Sequence, residues 1–149
     1  MSPTAFGSSY AAETSRTLAE IIAVLQTTAN SPTGVFGAFV DDRLVGIAAL
    51  ACTTAEKVAH NGTVWGMYVT PAFRQRGVSQ SLLDAIISHA RTFPHIRNLK
   101  LGVNASNAAA ISLYQSRGFI RYGLERDALW VDGIFYDSEL YALPLKHKD

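Results

Sequence analysis

Residues 64–83 join a strand-like apolar segment to a strongly helical segment through a short turn, and this junction limits the possible folds most. The apolar alternation ends at Val69, the turn contains Pro71, and Gly77 opens the helical pattern. A helix start leaves about four backbone amides without partners and carries roughly half a positive charge. Because Gly77 has no side chain, an anion can approach those amides closely. The junction therefore predicts a phosphate-binding helix start.

Two arginines and a small residue surround this helix start. Arg74 and Arg76 can donate charge-assisted hydrogen bonds to a diphosphate, and Ser79 leaves the approach open. The Gly-Lys-Ser/Thr sequence of the common nucleotide-binding loop does not occur here, so the site is of another kind. On these residues alone, a glycine turn carrying two solvated arginines is an equally good interpretation.

Hydrophobic periodicity predicts strands and helices that alternate along the chain. The predicted helices cover residues 12–26, 77–91 and 107–116, and the predicted strands cover residues 35–40, 44–53, 63–69 and 98–103, with further strands from residue 119 onward. Asp41-Asp42-Arg43 and Asp132-Gly133 lie between apolar runs and predict tight hairpins. The order indicates an α/β protein, α+β in detail, with a central mixed β-sheet flanked by helices on both faces.

Composition favours one globular domain over residues 1–149, with a flexible segment at residues 1–10. The net charge of +1 gives no basic field for nucleic acid, and no apolar run reaches the ~20 residues that span a membrane. No signal peptide is recognisable, so a cytoplasmic location is expected. Cys52 is the single cysteine and the four histidines show no ligand spacing, so neither an internal disulfide nor a metal site is expected.

The helix start carries the motif Arg74-x-x-Gly77-x-Ser79, directly after the strand-like residues 68–71. This motif resembles the signature Arg/Gln-x-x-Gly-x-Gly/Ala of the GNAT superfamily, the acyl-CoA-dependent N-acetyltransferases. Ser79 stands where glycine or alanine is usual in that family. A serine is still small enough to keep the loop open, and its hydroxyl can bind a phosphate.

A second motif spans residues 104–119 and contains Asn107, Tyr114 and Gly118-Phe119. It is similar to the second CoA-contacting helix of the same family. Two motifs in the family's order and spacing are more specific than either alone. The likeness covers roughly residues 35–145 of the chain.

The resemblance implies that acetyl-CoA lies in a V-shaped opening between two central strands that splay apart. Main-chain groups of Met67, Tyr68 and Val69 would hold the acetyl carbonyl and the pantetheine arm. Asn107 would bind the pantetheine region, and Tyr114 would act as general acid near the thioester sulfur. The pyrophosphate would be held by the backbone amides of one loop, formed by Arg74, Gln75, Arg76, Gly77, Val78 and Ser79.

The resemblance also implies direct attack of a neutral amine on the thioester. An α-amine of pKa ~7.7–8.0 costs about 1 kcal/mol to deprotonate at neutral pH, whereas a lysine amine costs about 4–5 kcal/mol. His60 is the candidate general base, because histidines commonly exchange protons near neutral pH, and an exposed loop histidine is the alternative interpretation. The acceptor, a small-molecule or peptide amine, would meet the N-terminal helical region and the C-terminal hairpin. That hairpin offers aromatic surface at Trp130, Phe135, Tyr136 and Tyr141, and carboxylates that attract a cationic amine at Asp132, Asp137 and Glu139. Packing in the core is the alternative interpretation of the aromatic residues.

The N-terminal region departs from the family pattern, because no strand pattern precedes the helix predicted at residues 12–26. The chain is therefore expected to lack the family's N-terminal strand. Two alternatives to an active enzyme follow from this expectation. One is a catalytically weak CoA-binding module, and the other is half of an obligate homodimer that completes its sheet between subunits.

Overall fold

The computed structural model of the chain describes residues 30–147. These residues form a six-stranded sheet with the strand order β1-β2-β3-β4-β6-β5. The strands are β1 (Gly34–Val40), β2 (Arg43–Cys52), β3 (Asn61–Val69), β4 (Asn98–Asn104), β5 (Ile120–Val131) and β6 (Ile134–Pro144). The helices are α1 (Val78–Arg91) and α2 (Ala108–Ser116), and a 3-10 turn at Pro71–Phe73 precedes α1.

The structure confirms the predicted mixed α+β sheet. Five strand pairs form it, of which β3 with β4 is parallel and the other four are antiparallel. The helix predicted at residues 12–26, the flexible segment at residues 1–10 and the absent N-terminal strand all lie outside the described residues. The predicted second helical face of the sheet depends on that same region, so it lies outside them as well.

Two hairpin turns set the pairing register of the strands that they join. Asp41 and Asp42 adopt φ of 48° and 60° between β1 and β2, and Asp132 and Gly133 adopt φ of 49° and 79° between β5 and β6. Paired positive φ values are those of a two-residue type I′ turn, which matches the right-handed twist of the strands. Both predicted hairpins are thereby confirmed.

The helix α1 supplies one side of the core. Its apolar face comprises Leu82, Leu83, Ile86, Ile87 and Ala90, all buried. This face packs with Leu50 of β2 and Leu99 of β4 in one cluster that also includes Tyr114 of α2. Burial of each such aliphatic side chain contributes about 1.5–3 kcal/mol to stability, so α1 is firmly attached to the sheet. Its start is thereby held at a fixed place beside β3.

β3 and β4 separate along most of their length. Parallel pairing is limited to Asn61–Thr63 of β3 with residues 98–100 of β4. From Val64 onward β3 has no partner in β4, whereas β4 pairs along its whole length with β6. The sheet is therefore open between its two central strands, as the V-shaped opening requires.

A β-bulge in β3 accompanies this separation. Ala49 of β2 pairs with Trp65, but Ile47 pairs with Tyr68, so β3 carries one extra residue between these pairs. Gly66 lies in the bulge with φ of 67°. A bulge bends its strand and increases the local twist, and left-handed φ favours glycine. The bulge thus turns β3 away from β4 just beyond their last paired residues.

Replacement of Gly66 by alanine tests the cost of this backbone conformation. An added Cβ would meet no atom within 4 Å, so the expected loss of about 1–2 kcal/mol in the free energy of unfolding is conformational. Urea denaturation of Gly66→Ala and Gly66→Asn measures it. Asparagine tolerates left-handed φ, so the second variant should lose less. Equal stability of Gly66→Ala and the unmodified chain would contradict a strained bulge.

Candidate functional site

The opening between β3 and β4 leads into a cavity of about 890 Å³. Both strands, the start of α1, the helix α2 and part of β5 line it. The lining brings together most of the residues predicted from the sequence, namely Met67, Tyr68, Val69, Arg74, Gln75, Gly77, Val78, Ser79, Asn107 and Tyr114. His60 and Arg76 are predicted site residues that do not line it.

The start of α1 is an uncapped helix terminus. Gly77 is the N-cap residue, and no side chain accepts a hydrogen bond from the first turn. The first intrahelical hydrogen bond runs from the amide of Ser81 to the carbonyl of Gly77 at 3.0 Å. The amides of residues 78–80 therefore have no acceptor within the helix. They are donors that an anionic group in the cavity can use.

The turn before α1 concentrates these donors. Gln75 and Gly77 have φ of 60° and 80°, and Arg76 between them and Val78 after them have negative φ. A left-handed residue followed by a right-handed helical one, as Gly77 and Val78 are, directs successive amides into one concavity, which binds anions. A Cβ on Gly77 would lie 3.3 Å from Oε1 of Gln80, within this concavity. The local backbone is thus shaped for a phosphate group.

The two arginines of the turn have different positions. Nε of Arg74 donates a hydrogen bond to the carbonyl of Val69 at 3.0 Å, and its guanidinium lies 5.6 Å from the ring centroid of Tyr68. Arg74 thus ties the turn to the end of β3 and lines the cavity. Arg76 instead lies over Phe73, 5.3 Å from its ring centroid, outside the lining. The prediction that both arginines face a diphosphate is supported by position for Arg74 alone.

The open edge of β3 offers main-chain groups to the cavity. Tyr68 and Val69 pair with Ile47 and Gly46 on the β2 side. On the other side β3 pairs with β4 only at Asn61–Thr63, and beyond these residues it borders the cavity. An extended ligand with amide groups can add to such an edge as another strand would.

Asn107 is the N-cap of α2. Its Oδ1 accepts a hydrogen bond from the amide of Ala110 at 3.1 Å. Since the cap uses Oδ1, the Nδ2 donor of this cavity-lining side chain remains for a ligand. The helix cap uses Oδ1 and the predicted contact with pantetheine would use Nδ2, so Asn107 can make both.

Tyr114 lines the cavity from α2 and is only 7% exposed. Its ring packs edge-on against Phe119, with ring centroids 5.8 Å apart. Burial raises the pKa of the Tyr114 hydroxyl above its ordinary value of 10.0. The hydroxyl is therefore protonated at neutral pH and acts as a hydrogen-bond donor.

His60 lies at the opposite end of β3 from the opening. Its side chain is exposed, with Nε2 3.3 Å from Nδ2 of Asn61. Its carbonyl accepts the amides of Arg97 and Asn98 near the paired ends of β3 and β4. A strand rises about 3.3 Å per residue, so His60 is roughly 20 Å from Met67. The structure does not bring His60 to the cavity.

The aromatic residues expected at an acceptor pocket also lie elsewhere. Trp130 and Phe135 stack on each other near the turn between β5 and β6, 71% and 59% exposed, outside the lining. Tyr141 is buried in the core, and its hydroxyl donates to Oε2 of Glu139 at 2.6 Å. The acceptor contacts predicted for this hairpin gain no support from the positions of Trp130, Phe135 and Tyr141.

The structure adds lining residues that the sequence did not single out for the site. They are polar or aromatic residues of β3, β4, β5 and β6, namely Trp65, Asn104, Glu125 and Ser138. Within residues 30–147, no group of three or more His, Cys, Asp or Glu side chains is arranged to hold a metal ion. No helix in that same range is long and apolar enough to cross a membrane.

Comparison with known proteins identifies the family. Residues 4–119 match the Acetyltransferase (GNAT) family. The chain belongs to this family. Its members use acetyl-CoA, and the cleft between β3 and β4 beside an uncapped helix start agrees with that assignment.

Individual members of the family share sequence and fold with the chain. A [ribosomal protein bS18]-alanine N-acetyltransferase of Salmonella typhimurium is 36% identical over 105 residues, which are 70% of this chain and 67% of the relative. The crystal structure of a GNAT acetyltransferase from Streptococcus pneumoniae gives a TM-score of 0.83 at 25% identity, covering 89% of this chain and 78% of that one. A ribosomal-protein-alanine N-acetyltransferase from Brucella melitensis gives 0.77 at 26% identity, with coverage of 89% and 82%.

A methyl group at Gly77 should interfere with the anion concavity. Gly77→Ala is expected to weaken acetyl-CoA binding about tenfold or more, because one charge-assisted hydrogen bond contributes about 1.5–3 kcal/mol. Isothermal titration calorimetry measures this change. The matched control is Gly133→Ala, since Gly133 has a similar φ of 79° but lies in the distant hairpin turn. Equal binding by both variants would show that α1 does not hold the cofactor.

Proposed function

We propose that this chain transfers an acetyl group from acetyl-CoA to the α-amino group of a peptide or protein. The observation that carries the proposal is the opening between β3 and β4, whose cavity reaches both the uncapped start of α1 and the buried Tyr114. These two features serve acyl transfer together, because one would bind the phosphates of the acyl donor and the other would lie near the reacting group.

The residues of the cavity fit acetyl-CoA. The amides at the start of α1, with Arg74 beside them, would hold the pyrophosphate. The open edge of β3 at residues 67–69 and the Nδ2 group of Asn107 would hydrogen-bond to the amide groups of the pantetheine arm. Acetyl-CoA supplies a thioester, which is an acyl group already activated for attack by an amine.

Positioning is the largest contribution expected of this cavity. Holding an amine and a thioester in reactive geometry can lower the barrier by about 7–11 kcal/mol. Deprotonation adds only about 1 kcal/mol for an α-amine at neutral pH, compared with about 4–5 kcal/mol for a lysine amine. An α-amine therefore needs less assistance from a base.

Tyr114 would donate a hydrogen bond to the departing sulfur. An unperturbed tyrosine (pKa ~10) is already a weaker acid than a thiol (pKa ~8.5) by about 2 kcal/mol. Burial raises the pKa of Tyr114 further, so early transfer of its proton to the sulfur is unfavourable. Its role is then to stabilise developing negative charge and to give up the proton late.

The names of the relatives support a protein α-amine as acceptor. Two of them are described as ribosomal-protein alanine N-acetyltransferases, at 36% and 26% identity to this chain. We extend the acceptor class, an amino group on a protein, to this chain. A ribosomal acceptor would place the reaction in the cytoplasm.

Removal of the Tyr114 hydroxyl tests its role. Tyr114→Phe is expected to lower kcat about three- to tenfold, the value of one neutral hydrogen bond, with acetyl-CoA affinity unchanged. Because the pKa of Tyr114 lies above 10, the hydroxyl stays protonated over pH 6–9, and the ratio of the two rates should be constant there. Steady-state kinetics across that range measures the ratio. An unchanged kcat would remove Tyr114 from the mechanism.

An acceptor panel tests the proposed reaction as a whole. Release of the CoA thiol is measured with three probes: a peptide with a free N-terminus, the same peptide N-acetylated but carrying a lysine, and a small polyamine. Only the first is expected to turn over rapidly. Preference for the polyamine would redirect the proposal to small molecules. Binding of acetyl-CoA without thiol release from any probe would leave a CoA-binding module.

A further inference from the structure

Three polar side chains form one row across β4, β6 and β5. Asn104 of β4 lies opposite Ser138 of β6, and Ser138 lies opposite Glu125 of β5. Residues directly opposite each other in an antiparallel pair share a face of the sheet. All three line the cavity. Neighbouring strands are about 4.8 Å apart, so the row extends about 10 Å from Asn104 to Glu125.

Asn104 holds a buried donor that needs an acceptor. The residue is 7% exposed, and its Oδ1 accepts the amide of Ser106 at 2.9 Å and the hydroxyl of Ser106 at 2.7 Å. These two donors fix which end of the side-chain amide is oxygen. Nδ2 finds no hydrogen-bond partner within residues 30–147. Because buried donors are rarely left unpaired, this group is a candidate donor to an acceptor atom that enters the cavity.

Glu125 supplies negative charge at the other end of the row. It is the acidic residue of the described lining, and Arg74 beside α1 is the basic one. Neighbouring basic residues of β5 are engaged elsewhere, since Arg126 pairs with Asp137 at 3.6 Å and Arg121 with Glu139 at 3.5 Å. In the described part of the chain Glu125 has no ion pair of its own. The cavity is thus positive toward the phosphate site and negative toward β5.

We propose that this row is the acceptor subsite and that it recognises a peptide N-terminus. The carboxylate of Glu125 binds the N-terminal ammonium group, and Nδ2 of Asn104 donates to a peptide carbonyl of the first residues. The row's length suits this occupant, because an extended peptide advances about 3.3–3.6 Å per residue. A simple alkylamine offers the ammonium but not the carbonyl. This inference rests on the proposed acetyl transfer and assigns the residues that select its acceptor.

The bound amine loses protons as it is acylated. The nitrogen–carbon bond to the acetyl group forms as the carbon–sulfur bond breaks, and the electron pair of that bond leaves with sulfur. The ammonium loses two protons in total. One passes to water, at the cost of about 1 kcal/mol given above for an α-amine at neutral pH. The second passes to the oxygen of Tyr114 and replaces the proton that Tyr114 gives to the sulfur. CoA therefore leaves as the free thiol, and the charges balance.

Glu125→Gln separates the contact between Glu125 and the ammonium group from general charge effects. With an alanine-initiated tripeptide amide as probe, kcat/KM should fall about ten- to hundredfold, the range for a hydrogen bond to a charged group. A higher peptide KM is expected, with kcat and the KM for acetyl-CoA unchanged. The matched control is Asp127→Asn, which removes the same charge from the same strand outside the lining. Asparagine tolerates the φ of 52° at that position, so the control should stay within about twofold.

Asn104→Asp tests the carbonyl contact. The variant keeps an oxygen for both hydrogen bonds from Ser106 and replaces the Nδ2 donor by a second oxygen. Difluoroethylamine, a weakly basic amine without a carbonyl, is the comparison acceptor. The preference for the tripeptide over difluoroethylamine should fall about tenfold in the variant. If the variant does not fold, the unmodified chain still tests the inference. A failure of that chain to prefer the tripeptide over difluoroethylamine would overturn it.

The outcomes distinguish this inference from the proposed function. Acetyl transfer to the tripeptide by the unmodified chain, with equal kinetics for Glu125→Gln and Asp127→Asn, would overturn the subsite and leave the reaction intact. A change confined to the KM for acetyl-CoA in Asn104→Asp would assign that donor to pantetheine instead. No turnover of any amine by the unmodified chain would overturn the proposed function itself.

Discussion

The separation of β3 from β4 is the constraint on which the rest of the site depends. Two neighbouring strands normally satisfy each other's backbone groups, and these two do so only at Asn61–Thr63. The bulge at Gly66 moves β3 away, while α1 and its packed face hold the far end of that strand in place. A closed sheet would leave no cavity, no free strand edge and no route from the start of α1 to Tyr114.

The elements around the phosphate site could be predicted from the sequence because their determinants are local. Gly77 before an amphipathic run predicts the start of α1, and Asp132-Gly133 between apolar runs predicts the turn, whatever the rest of the chain does. Asn107 likewise caps α2 through an acceptor only three residues away. Each of these features depends on fewer than about six neighbouring residues, the reach of one turn or cap.

The acceptor side could not be predicted because it depends on strand register. Counting back from the turn at Asp132-Gly133 would place Asp127 opposite Ser138. The irregularity between Glu125 and Leu129 adds two residues to β5, so Glu125 takes that place. A bulge of this kind leaves little trace in the hydrophobic pattern. His60 illustrates a related limit, because closeness in sequence to one end of a strand does not bring a residue near the strand's other end, where the cavity lies.

The charge distribution across the cavity also bears on how the enzyme releases its product. In the proposed subsite Glu125 would bind the positive charge of an N-terminal ammonium, and acetylation converts that group into a neutral amide. The product therefore loses its attraction to β5 at the moment it forms, whereas the next unreacted N-terminus retains it. A carboxylate at this position of the sheet would therefore bind the charged substrate more tightly than the neutral product. This difference in affinity limits product inhibition.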